Sequence, residues 1–180
     1  MEPSNGSPTP KPENFFFSMM KDWGAAIVIV LLGYAMYSTF IAPKAPALGP
    51  AADFILADGN GQSVQLSKLE AETIVVNFWF INCPPCRREI PELAAFAKAN
   101  PDIPLYGINT DPVPTKKVKD WSDRNGLDYH LLHDMKGEAA RAYDVSVFPT
   151  TLVIQDGNIV ASKIGELDQA TLQQMVNRVH

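Results

Sequence analysis

The stretch from Thr73 to Pro91 constrains this chain more than any other. Thr73–Phe80 carries Ile74-Val75-Val76 and Phe78-Trp79-Phe80, apolar at successive positions rather than alternate ones. A strand apolar on both faces belongs at the centre of a sheet covered by helices. Cys83-Pro84-Pro85-Cys86 follows at once, and a helical pattern runs on to about Lys98. Proline is tolerated in the first turn of a helix, where its missing N–H would have no partner, whereas Pro91 inside the pattern is expected to kink the helix. A cysteine pair between a buried strand and a helix N-terminus sits where redox chemistry is expected.

These are the only two cysteines in 180 residues, so no disulfide framework can staple the fold. No second Cys pair or His-x-x-x-His spacing completes a structural zinc site, and no metal or other cofactor is expected. The net charge of −5 lacks the basic footprint that phosphate neutralisation demands, which argues against nucleic acid as a partner. With 46% hydrophobic residues the chain can fill one sizeable core, and its length allows one full domain plus an appendage.

The remaining pattern predicts an α/β fold, a mixed central sheet flanked by helices. Phe54-Ile55-Leu56 and Ser63-Val64-Gln65-Leu66 around Asp58-Gly59-Asn60-Gly61 predict an N-terminal β-hairpin. Leu105–Asn109 reads as a strand, and Thr115–Asn125 as a helix capped by Thr115 with Gly126 beyond its end. His130–Asp134 is a short strand, Glu138–Tyr143 a helical turn or two, and Thr151–Gln155 with Ile159–Lys163 a hairpin around Asp156-Gly157. The last helix starts at Asp168, with Leu167 and Leu172 as a hydrophobic staple and Leu172, Met175, Val176 and Val179 on its buried face.

The N-terminal region differs in kind. Met1–Asn14 is rich in Pro, Ser, Gly and Asn, and residues 1–22 are expected to form a disordered cytoplasmic tail. Trp23–Ala42 holds no charged side chain over about 20 residues, enough to cross a hydrocarbon core of roughly 30 Å as one transmembrane helix. Lys11 and Lys21 before the span against Lys44 after it favour an N-terminus-in anchor, with the following domain outside the cytoplasm. A cleaved signal peptide ending at Ala42 is the alternative, and it exports the domain as well. Residues 43–51, Ala- and Pro-rich, read as a linker, and residues 52–180 as the folded domain.

A dithiol used in exchange needs an exposed thiolate and a second thiol to resolve the mixed disulfide. Cys83, just ahead of the helix, meets unpaired backbone N–H groups and the positive end of the dipole, which favour its anion. Cys86, further in, is expected to be more buried and to attack the mixed disulfide.

Asn77-Phe78-Trp79-Phe80-Ile81-Asn82-Cys83-Pro84-Pro85-Cys86-Arg87-Arg88-Glu89-Ile90-Pro91 resembles the active-site stretch of the TlpA/ResA group of extracytoplasmic thioredoxin-like proteins. The resemblance runs from about Ala52 to the C-terminus. It implies a thioredoxin-like fold, thiol-disulfide oxidoreductase activity, and a central insertion at Asp111–Asp134 that serves partner choice. It also implies that Phe148-Pro149-Thr150 is a cis-proline loop offering backbone hydrogen bonds to an extended substrate, and that Glu89 tunes cysteine ionisation. Glu89 is otherwise an exposed carboxylate stabilised by the helix dipole. The sequence departs from the pattern at Asn77, where thioredoxin has a buried acid, and at Asn82, where a Trp usually precedes the first Cys.

The leading function is therefore reduction of extracytoplasmic protein disulfide or thiol clients, by resemblance apocytochrome c, with a membrane thiol electron donor. An oxidase or isomerase differs only in redox poise. A peroxide-reducing enzyme would need Thr where Phe80 stands. A copper-delivery module would recruit Cys83, Cys86 and a distant His133.

Overall fold

The computed structural model describes residues 12–178 and divides into two units, one ending at Ala42 and the other beginning at Pro43. In the first, α1 spans Pro12–Phe40 and contains the apolar 18-residue segment Trp23–Phe40, long enough to cross a membrane. Side chains from Trp23 to Ile41 are all exposed. The helix begins inside the stretch expected to be a disordered tail, of which residues 1–11 lie outside the described residues. Pro12 suits a first helical position, and Glu13–Asp22 holds no Gly or Pro to stop a helix propagating back from the span.

The second unit is built on one mixed eight-stranded sheet in the order β1-β8-β7-β4-β5-β6-β2-β3. Its elements, in chain order, are β1 (Gly49–Pro50), β2 (Ile55–Asp58), β3 (Ser63–Gln65), β4 (Thr73–Trp79), α2 (Pro84–Ala99), β5 (Leu105–Asn109), α3 (Thr115–Arg124), β6 (His130–His133), α4 (Glu138–Ala142), β7 (Thr150–Gln155), β8 (Asn158–Ile164) and α5 (Gln169–Asn177). β4 runs parallel to β5 on one side and antiparallel to β7 on the other, and all seven of its residues are buried. The predicted hairpins β2–β3 and β7–β8 both form. Asp156 (φ 48°) and Gly157 (φ 74°) supply the two left-handed residues that a tight turn between twisted strands requires.

Alternation along β4 explains its unbroken apolar run. Ile74, Val76 and Phe78 join Phe54, Tyr106, Ile108, Leu152, Ile154 and α4's Ala139 and Ala140 in one core. Val75 joins Leu93 and Phe96 of α2 and Leu172 and Val176 of α5 in another. Leu167 and Leu172 share that second core around Asp168, whose side chain accepts the Thr171 N–H at 2.7 Å, so the predicted staple and cap stand together. Met175 is partly buried against the same core, and Val179 lies outside the described residues.

Two local expectations are corrected. Thr115 is not a cap: α3 follows Pro114 without a side-chain cap, because the Thr115 hydroxyl is taken by His133 Nδ1 at 2.8 Å. The linker is not free along its whole length. Pro46 is buried and its carbonyl accepts from the Ser162 hydroxyl, while Gly49 and Pro50 pair with β8. A sheet edge with unpaired backbone groups recruits such a strand. Pro91 sits inside α2 without ending it, and leaves the carbonyl of Arg87 without its usual helical donor.

Candidate active site

β4 ends at Trp79, and Phe80-Ile81-Asn82 carry the chain from the sheet to α2. The Ile81 N–H donates to Asp111 Oδ2 at 2.7 Å, which fixes this connection to the start of the insertion. Cys83 occupies the cap position of α2, and its Sγ accepts the Cys86 N–H at 3.2 Å. Pro84 and Pro85 fill the first two helical positions and bring no N–H. The sulfur therefore meets one first-turn amide, fewer than the several expected from a bare helix N-terminus.

Cys83 and Cys86 are joined as a disulfide. Cys83 is 2% exposed and Cys86 fully buried, so the expected contrast between an open and a closed cysteine is small in this oxidised form. The reason is packing: the pair lies in an apolar cluster with Trp79, Ile90, Val118 and Leu127, lined further by Phe80, Ile81, Trp121 and Phe148.

Glu89, one turn beyond Cys86, is buried at 2% exposure rather than displayed on the helix surface. Residues three apart on a helix lie on one face, about 5–6 Å between Cβ atoms. The sheet side of α2 receives Glu89 because β4 places Asn77 opposite it. Asn77 Nδ2 donates to Glu89 Oε1 at 2.7 Å and to Thr151 Oγ1 at 3.0 Å, and the Leu167 N–H donates to Glu89 Oε2 at 3.2 Å. Burial pushes the Glu89 carboxyl up to about 7, against the opposing pull of the Asn77 and Leu167 hydrogen bonds. The amide at Asn77, standing where thioredoxin has an acid, thus becomes the anchor of a different acid. Such a carboxyl can take or give a proton near neutral pH.

The Phe148–Pro149 peptide is cis. Phe148 packs edge-on to Phe80, ring centroids 5.4 Å apart, and so belongs to the wall of the cysteine cluster. Thr150 holds the loop rather than facing outward: it is 1% exposed, lies within β7, and its hydroxyl donates to the Val147 carbonyl at 2.7 Å. The Pro149 carbonyl accepts the Gly165 N–H at 2.8 Å. These two residues shape the loop, and Phe148 carries its contact with the site.

Two features escaped sequence reasoning. Trp121, from the insertion, packs on Trp79 at 5.4 Å between ring centroids, and the Arg87 guanidinium lies 5.8 Å above its ring. An aromatic side chain thus reaches the cysteine cluster from α3, although Asn82 stands where a Trp usually precedes the first Cys. Gly107 on β5 is the second: a Cβ there would stand 2.8 Å from Tyr129 Cε2 and 3.2 Å from Trp79 Nε1. The missing side chain makes room for both rings.

His133 is no metal ligand as it stands. Its Nε2 donates to the Asp111 carbonyl at 2.9 Å, which leaves Nδ1 to accept the Thr115 hydroxyl. Both ring nitrogens hold the insertion in place. Among the described residues no cluster of His, Cys, Asp or Glu could hold a metal ion.

The model of the AhpC/TSA family matches residues 48–163. The thiol-disulfide oxidoreductase ResA of Halalkalibacterium halodurans is 30% identical over 86% of this chain and 90% of its own length. The sporulation thiol-disulfide oxidoreductase A of Bacillus subtilis is 28% identical over 82% of this chain and 93% of its own. The crystal structure of StoA from Bacillus subtilis superposes with a TM-score of 0.62 at 25% identity, covering 70% of this chain and 97% of that one. Fold, cysteine pair and relatives agree: the chain belongs to the AhpC/TSA family and, within it, to the ResA-like thiol-disulfide oxidoreductases with a thioredoxin-like fold.

Proposed function

We propose that this oxidoreductase is a membrane-anchored reductant of extracytoplasmic protein disulfides, with apocytochrome c as its client class. Residues 23–42 are its single-pass anchor in the cell inner membrane, residues 1–22 lie on the cytoplasmic side, and the domain works outside. The observation that carries the redox direction is the setting of Cys83. A disulfide is strongly oxidising when the thiolate of its reduced form is heavily stabilised, and Pro84 and Pro85 withhold two of the amides that would do so. One N–H, that of Cys86, remains for the sulfur.

The Cys83 thiolate attacks one sulfur of the client disulfide, forming a mixed disulfide and expelling a client thiolate. Cys86 passes its proton to the Glu89 carboxylate and attacks Cys83 Sγ, which closes the Cys83–Cys86 disulfide and expels the second client thiolate. Both client thiolates take protons from solvent. A membrane thiol carrier, as electron donor, returns the pair to the dithiol, and the tether keeps donor and domain at high effective concentration. Phe148, backed by Pro149 and Thr150, lines the client's approach.

The experiment is trapping. Reduced Cys86→Ser chain mixed with an oxidised peptide bearing Cys-x-x-Cys-His should accumulate a peptide adduct on Cys83, seen by mass spectrometry, while wild type releases reduced peptide. Release of peptide by wild type no faster than with free dithiothreitol would reject the client class.

A further inference from the structure

A cavity of about 390 Å³ opens between α2, the end of β8 and the start of α5, and Glu89 reaches its wall. The charged groups around it are Arg88 and Glu92 of α2, Lys163 of β8, and Glu166 and Asp168 ahead of α5. Most are already engaged. Glu92 Oε2 accepts the Gln169 N–H at 3.0 Å, Asp168 Oδ1 accepts the Thr171 N–H at 2.7 Å, and Arg88 Nε donates to Glu166 Oε2 at 2.9 Å. Among the described residues Lys163 has neither an ion-pair nor a hydrogen-bond partner for its side chain. On the strand, Lys163 pairs with Thr151, whose hydroxyl accepts from Asn77, which in turn donates to Glu89.

We propose that Lys163 is a positioning residue for the exchange reaction: across this cavity its ammonium ion sets the pH at which Glu89 releases the proton taken from Cys86, and Glu166 opposes it. The inference rests on the reading of Glu89 as the proton acceptor for Cys86. An uncommitted cation beside a buried carboxylate favours the ionised form, and a neighbouring carboxylate disfavours it. The directions of the electrostatic pull on Glu89 agree: Glu166 raises its proton affinity and Lys163 lowers it. The Arg88–Glu166 pair partly neutralises the opposing charge, which leaves Lys163 the freer lever. Tyr129 also lies within electrostatic reach of Glu89 but stays protonated, because its burial raises its own proton affinity.

The test uses the full reduced chain in detergent, with carbon-13-labelled glutamate and the Glu89 carboxyl resonance assigned by its loss in Glu89→Gln. Lys163→Met should raise the Glu89 titration midpoint by about 0.5–1 pH unit, the size of one charge acting through a partly aqueous path. Glu166→Gln should lower it, and Lys163→Arg should restore the wild-type midpoint, which a purely structural role for Lys163 would not predict. The Glu89-dependent limb of the pH profile for disulfide exchange should move with the midpoint. An unchanged midpoint in Lys163→Met, or shifts of the same sign in Lys163→Met and Glu166→Gln, would overturn the proposal. Midpoints that move as expected while Glu89→Gln keeps the wild-type pH profile would uphold Lys163's hold on Glu89 and remove Glu89 from the exchange.

Discussion

The two faces of the sheet are made from the same strands and do opposite things. On one, Ile74, Val76 and Phe78 of β4 meet Phe54, Tyr143 and α4 in a core whose side chains are almost wholly apolar. On the other, Val75, Asn77 and Trp79 of the same strand meet α2, and here lie the disulfide and a buried carboxylate with an amide and a hydroxyl behind it. A buried polar group costs stability unless it is hydrogen-bonded. The first face therefore supplies stability, and the second gives up part of it to hold Glu89 and the cysteines buried beside α2.

The largest contrast should come from the cysteines. Cys86→Ser should abolish turnover in an insulin-reduction assay while the thermal transition of the reduced protein moves little. On the closed face, Phe78→Ala should cost about 3–5 kcal/mol in guanidinium unfolding, the usual size for a fully buried aromatic. The same variant should leave the pH profile of exchange unchanged per folded molecule; a shifted profile would break the separation of the faces.

Glu89 gives a pH signature of the next size. Its carboxyl is held at about 7 against an ordinary 4.5, so the folded protein binds this proton more tightly than the unfolded chain does. Stability from this group is fully present below the unfolded value and is lost as pH rises through 7, by up to about 3 kcal/mol. Glu89→Gln should flatten that decline, as read from denaturant midpoints at pH 5 and pH 8. Gly107→Ala should cost about 1–3 kcal/mol through the clash with Tyr129 and Trp79, with a change in Trp fluorescence. Smallest is Glu166→Ala: its ion pair with Arg88 is solvent-exposed, and the loss should stay below about 1 kcal/mol.

What can be read from the sequence follows the range of the forces involved. The two hairpins, the buried strand and the Asp168 cap depend on neighbours a few residues away, and all are legible. The cysteine pair is legible because its chemistry needs only a strand, a spacing and a helix. Thr115 misleads because a distant side chain, His133, takes its hydroxyl away from the helix end. The burial of Glu89 cannot be derived from local pattern, since its hydrogen bonds come from Asn77 and from Leu167, which lies 78 residues away. Trp121 hides for the same reason: its partner Trp79 is on another element, and an amphipathic helix reads alike whether its aromatic faces a core or a reactive site. The early start of α1 reflects helix propagation into a segment whose composition at its outer end reads as a tail.

Redox direction turns on one quantity, the reduction potential of the Cys83–Cys86 pair, measured by equilibrating the full chain with dithiothreitol and glutathione buffers and counting free thiols. A pair whose cap sulfur meets one amide should be reducing, near about −270 mV. A value near about −120 mV would mark an oxidant of folding proteins and contradict the idea that Pro84 and Pro85, by withholding their amides, leave the pair reducing.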